Sequence, residues 1–90
     1  MSEVRHGDGS FFVERDGKRV AELTYRIEGA DAVVDHTFVD PSARGGTLAR
    51  DLVEAAVQWA REENRKIVPV CPYVRGVFAK TPAYADVAKG

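Results

Sequence analysis

The chain has one cysteine, Cys71, and so cannot close an internal disulfide. That excludes the small disulfide-stapled secreted domains and sets the expectation of a reduced, cytoplasmic setting. No apolar run approaches the roughly 20 residues of a bilayer-spanning helix, and the opening Met1-Ser2-Glu3-Val4-Arg5-His6 has no signal-like apolar core. No membrane partner is expected. No charge sign dominates: 13 basic against 14 acidic residues leave −1, where a dedicated nucleic-acid binder is usually clearly basic. Repeats and low-complexity stretches are absent. Two histidines and one cysteine, widely spaced, give no metal-ligand pattern, so no metal is expected.

What is present suits a packed globular domain: 44% hydrophobic and 30% charged residues over 90 positions, one domain spanning 1–90. Residues 1–9 are polar and glycine-bearing and are expected to fray. Phe11 to Arg15 reads as a strand, and Asp16-Gly17 as a two-residue hairpin turn. Lys18 to Ile27 alternates, with Ala21, Leu23, Tyr25 and Ile27 on one face and Val20, Glu22, Thr24 and Arg26 on the other. Ala32 to Val39 is a third strand, rich in Val, Thr and Phe. A helix is expected from Thr47 to Glu63, where Leu48, Leu52, Ala55, Ala56 and Trp59 recur at helical spacing. Ile67 to Val70 reads as a buried strand in which Pro69 interrupts pairing. Val74 to Lys80 reads as a second helix, stopped by Thr81-Pro82. The order β-β-β-α-β-α implies an α+β fold: an antiparallel meander plus one parallel pair joined by a right-handed crossover and covered by helices.

One loop carries chemistry. Val39-Asp40-Pro41 ends a strand, Arg44-Gly45-Gly46 turns tightly, and a helix begins at Thr47-Leu48-Ala49. The first amides of a helix lack internal partners, and the dipole makes that end positive. Glycine admits close approach of a phosphate, and Arg44 adds a full charge, so the turn reads as an anion cradle. It lacks the Gly-Lys-Ser/Thr ending of a P-loop and the Gly-x-Gly-x-x-Gly of a dinucleotide fold. On spacing alone, the same glycine pair serves equally as a plain sharp turn.

Arg44-Gly45-Gly46-Thr47-Leu48-Ala49 resembles the Arg/Gln-x-x-Gly-x-Gly/Ala signature of the GCN5-related N-acetyltransferases. His36-Thr37-Phe38-Val39, Cys71-Pro72-Tyr73-Val74 and Lys80-Thr81-Pro82-Ala83-Tyr84 are similar to segments of the small single-domain branch of that superfamily, so the resemblance runs from Phe11 to Val87. Thr47 departs from it by standing where the pattern has glycine; its hydroxyl could cap the helix or bond the phosphate. The resemblance implies acetyl-CoA, or coenzyme A, as cosubstrate and an amine as acceptor. It places the pyrophosphate at Arg44, Gly45, Gly46, Thr47, Leu48 and Ala49, and the pantetheine arm along Phe38-Val39. The thioester lies where the third and fourth strands splay apart, polarised by backbone amides.

Three side chains stand out. Cys71 follows the fourth strand at the expected splay and is either an acetyl-accepting nucleophile, part of the acyl pocket, or a small buried hydrophobe. His36, expected on the face of Val34 and Phe38, is either a general base or a hydrogen-bonded structural histidine. Tyr73 either stacks on the pantetheine, protonates the leaving thiolate, or packs. His6, in the fraying tail, is given no role, and Trp59 is a core residue. The leading expectation is an N-acetyltransferase; a non-catalytic CoA-binding module and an interaction domain with a vestigial cradle are the alternatives. The chain is expected to be a monomer or a homodimer paired through an open sheet edge.

Overall fold

The computed structural model describes residues 3–89; residues 1, 2 and 90 lie outside it. The elements run β1 (Arg5–Gly7), β2 (Ser10–Arg15), β3 (Lys18–Glu28), β4 (Asp31–Val39), α1 (Leu48–Glu62), β5 (Lys66–Pro69) and α2 (Pro72–Lys80), with short 3-10 turns at Pro41–Ala43 and Pro82–Tyr84. The five strands form one sheet in sequence order, antiparallel except for the parallel β4–β5 pair. The mixed α+β architecture expected from the hydrophobic periods is the one observed.

Local chemistry sets each junction. Asp16 and Gly17 adopt φ of 53° and 75°, the left-handed pair that a two-residue hairpin turn requires. α1 presents Leu48, Leu52, Val53, Ala56, Val57 and Ala60 to the sheet. It ends where Asn64 takes a φ of 55° and the Arg65 amide bonds back to the Ala60 carbonyl at 2.8 Å. Both helices feed a single core with Phe11, Val13, Leu23, Val34 and Ile67. They therefore pack on one face, while Phe12, Glu22 and Phe38 pair across β2, β3 and β4 on the other.

The N-terminal segment departs from expectation. Residues 5–7 do not fray: β1 pairs with β2, His6 opposite Phe11. His6 stacks on Phe11 with ring centroids 4.1 Å apart, meets the edge of Trp59 at 5.3 Å, and hydrogen-bonds the Tyr25 hydroxyl at 2.5 Å. A three-residue strand beside a glycine turn leaves no period to read in sequence, and the aromatic partners lie far along the chain.

Two bulges break the alternation read from sequence. In β3, Val20 is the extra residue between the Val13–Ala21 and Glu14–Arg19 pairs, so Val20 and Ala21 both enter the core. In β4, Asp35 is the extra residue: Thr24 pairs with His36 and Tyr25 with Val34. The second bulge changes which side chains reach the site.

Candidate active site

β4 and β5 run together only from Asp31–Lys66 to Val34–Pro69. Pro69 has no amide to continue the ladder. The amides of Val70 and Cys71 both turn onto the Val34 carbonyl at 3.0 Å, which makes it the last link between the strands. β4 then continues to Val39 without a partner on that side, while the chain at Cys71 turns into α2. The strands therefore splay at the bulge.

Cys71 and Thr37 meet in that gap, with Sγ and Oγ1 3.4 Å apart. Cys71 is 6% exposed. Burial pushes its thiol up, but the Thr37 hydroxyl, the amides of Val74 and Tyr73 in the first turn of α2, and the Thr37 amide together outweigh burial and hold it below its ordinary value. The α2 amides act from beyond a close cap bond.

His36 does not join this pair. The sequence reading places it on the face of Val34 and Phe38; the bulge overturns that. Val34 faces the core, while His36 and Phe38 pair with Thr24 and Glu22 on the opposite face. Thr37, with no role assigned from sequence, occupies the position beside Cys71. The only sequence signal was indirect: Pro69 marks where pairing stops, but nothing in Ala32–Val39 shows which residue bulges.

A cleft of about 230 Å³ lies between the end of β4 and the start of α1, lined by Val39, Ala43, Arg44, Gly45, Gly46, Leu48, Ala49 and Tyr73. Its floor includes the Arg44–Gly46 turn. Gly45 has a φ of 92°, a conformation that side chains with a Cβ resist, and nothing lies within 4 Å of where a Cβ would stand. Arg44 is tethered by its Nε to the Val39 carbonyl at 3.2 Å, leaving its remaining N–H groups exposed. Thr47 sits at the N-cap of α1, yet its hydroxyl makes no cap bond; it donates to Asp51 at 3.1 Å. The capping role open to it in sequence is not taken. The first α1 amides lack a side-chain cap, with one acidic residue, Asp51, in the first turn.

Tyr73 is 39% exposed on the opposite wall, and burial pushes its hydroxyl up. Phe78 and Tyr84 pack against the core, their rings 5.6 Å apart. Among the described residues no group of His, Cys, Asp and Glu side chains is placed to hold a metal, and no helix is long and apolar enough to cross a membrane.

The same fold occurs in known proteins. Residues 10–87 match the family model for GCN5-related N-acetyl-transferases. A GCN5-like protein from Staphylococcus aureus, solved by NMR, superposes with a TM-score of 0.80 at 31% identity over 100% of this chain and 92% of that one. The ribosomal-protein-alanine N-acetyltransferase of Brucella melitensis shares the fold, with a TM-score of 0.58 at 20% identity over 90% of this chain and 62% of its own. So does the aminoglycoside N-acetyltransferase AAC(6′)-Iy in complex with CoA, with a TM-score of 0.55 at 16% identity over 90% of this chain and 59% of its own. No curated protein matches. A family match over most of the chain and a relative at 31% identity, covered over 92% of its length, agree with the fold: the chain belongs to the GCN5-related N-acetyltransferase family of enzymes.

Proposed function

We propose that this chain transfers an acetyl group from acetyl-CoA to an amine. The observation that carries the reading is that Thr37 and Cys71 meet where β4 and β5 part, while Val39 at the end of the same strand and Tyr73 just after Cys71 line the Arg44–Ala49 cleft. The Arg44 guanidinium and the first α1 amides take the pyrophosphate, with Gly45, Gly46 and Leu48 shaping the turn. Thr47 narrows its mouth. The pantetheine arm follows the backbone of Phe38 and Val39 with Tyr73 on its other side. The thioester carbonyl lies at the Thr37 amide. The amine enters from the face that carries His36, whose imidazole can take its proton. Attack forms the C–N bond, breaks the C–S bond, and leaves the CoA thiolate to accept a proton. Holding both substrates across one gap supplies the orientation that the reaction needs.

A second route is favoured by the lowered Cys71 thiol. Its thiolate attacks the thioester, releases CoA and hands the acetyl group to the amine in a later step. That route needs a reduced thiol and so fits a cytoplasmic setting.

Ligand binding is tested first. Acetyl-CoA at ten times its Kd should stabilise the fold by about 1.4 kcal/mol, a melting shift of roughly 6–11 °C. No shift at high micromolar acetyl-CoA would remove the cradle. Release of free thiol with a panel of amines then separates an enzyme from a CoA-holding module. Mass spectrometry after exposure to acetyl-CoA decides the route: an acetyl adduct on Cys71 with loss of activity in Cys71→Ala supports the covalent one, and full activity without an adduct supports direct transfer.

A further inference from the structure

A second cleft, of about 360 Å³, adjoins the first and is lined by Arg50, Tyr73, Val77, Lys80 and Thr81. The two clefts share Tyr73, and the residues Ala49 and Arg50 hand one on to the other along α1. Lys80 lies seven residues beyond Tyr73 on α2, about 10 Å along the helix. The second cleft therefore begins where the cradle ends and carries two cations.

Those cations are unusual in this molecule. Most described lysines and arginines pair with a carboxylate or rest on a backbone carbonyl. Arg5, Arg50 and Lys80 do neither, and the last two share this cleft. The nearest acid on the same helix face, Glu54, is already occupied: it accepts from the Tyr84 hydroxyl and, at 3.2 Å, from the Gln58 amide. The field of Arg50 reaches Glu54, Tyr84 and Tyr73 without an ion pair forming. Two uncompensated cations in a concave site favour a ligand carrying negative charge.

On the reading that the first cleft holds the pyrophosphate of CoA, we infer that Arg50 and Lys80 bind the other charged group of that molecule, the 3′-phosphate of its ribose. That phosphate is a monoester of high charge density. It can accept two N–H bonds from the Arg50 fork and one from the Lys80 ammonium. Val77 and Tyr73 give the intervening adenosine an apolar surface. The chain would then discriminate CoA from its 3′-dephosphorylated form, which has the same pyrophosphate, pantetheine and thiol.

The experiment is calorimetric titration of wild type and an Arg50→Gln/Lys80→Gln double variant with CoA and with 3′-dephospho-CoA. Wild type should prefer CoA roughly tenfold, and the double variant should bind the two ligands equally. The wild-type preference should shrink at high salt. Equal wild-type affinity for both ligands overturns the inference while leaving the pyrophosphate cradle standing. So does a double variant that weakens both ligands to the same degree, since that would be a general field effect. If wild type binds neither ligand, the cradle reading falls and takes this one with it. Lys80 also complements the α2 dipole, so melting of the unliganded variants is measured beside the titrations, and a fold-wide loss is read there rather than in the ligand ratio.

Discussion

Replacing Thr47 with glycine removes two things at once: a branched Cβ next to the Gly45-Gly46 turn proposed to hold phosphate, and a hydroxyl that donates to Asp51. Its structural cost follows from what that hydroxyl does not do. It makes no cap bond to α1, so the roughly 1 kcal/mol usually lost with a threonine cap is not at stake. What goes is an exposed i,i+4 side-chain pair, about 0.2–0.5 kcal/mol, while glycine at an N-cap falls short of threonine by only a few tenths. The backbone at Thr47, φ −107° and ψ 10°, suits any residue, so no strain is released. Total destabilisation should stay below about 1 kcal/mol, and the unliganded Tm should fall by no more than roughly 4–8 °C. Binding should move the other way. Opening the mouth admits one more charge-assisted contact between phosphate and amide, discounted for solvent exposure to about 0.7–1.4 kcal/mol, or a three- to tenfold lower Kd for CoA. Calorimetric titration of wild type, Thr47→Gly and Thr47→Val reads this directly, because valine keeps the branch and removes only the hydroxyl. Valine should bind like wild type. If both variants bind CoA more weakly, the hydroxyl is itself a phosphate ligand and the argument from crowding is wrong.

Thr37→Val removes a hydroxyl that favours the Cys71 thiolate, so the pH profile for iodoacetamide labelling of Cys71 should move to higher pH; an unmoved profile would mean that the amides alone set the thiol. The Ser42 amide, the Ser42 hydroxyl and the Lys18 ammonium hold the Asp40 carboxyl well below the usual carboxylate range, so Asp40 contributes stability that is fully present above the ordinary aspartate value and is lost as pH falls from there through the lowered native value. Asp40→Asn should therefore melt below wild type at neutral pH, with the difference closing below about pH 4; a pH-independent difference would count against the linkage. Leu52 is fully buried against the sheet, so Leu52→Ala should cost about 2–5 kcal/mol and lower Tm by roughly 8 °C or more in a thermal melt followed by circular dichroism. A smaller loss would mean that the core collapses around the gap.

The legible parts of this molecule were those with a local cause. The Asp16-Gly17 turn, the apolar stripe of α1 and the stop at Pro69 each follow from a few adjacent residues, whereas α2 begins at Pro72, two residues before the expected Val74. The Arg44–Ala49 segment was legible as a tight turn into a helix because a glycine pair and a helical apolar period are contiguous. What sequence left hidden depends on partners far along the chain. β1 is held by Phe11, Tyr25 and Trp59 rather than by its own three residues. The exchange of His36 for Thr37 beside Cys71 depends on one bulge, and strict alternation puts the wrong residue in the site. Ile27, read as alternating with the buried side of β3, is 45% exposed near the end of that strand.

The same bulge gives β4 an unusual freedom of length. Asp35 and His36 both stand opposite Thr24, so the strand could lose one residue at that point without any later side chain changing sides. Anywhere else between Asp31 and Val39, one codon gained or lost would turn the rest of the strand over, exposing Val39 and burying Phe38. Asp35 is thus the place in β4 where a change in length leaves the core face beyond it unchanged.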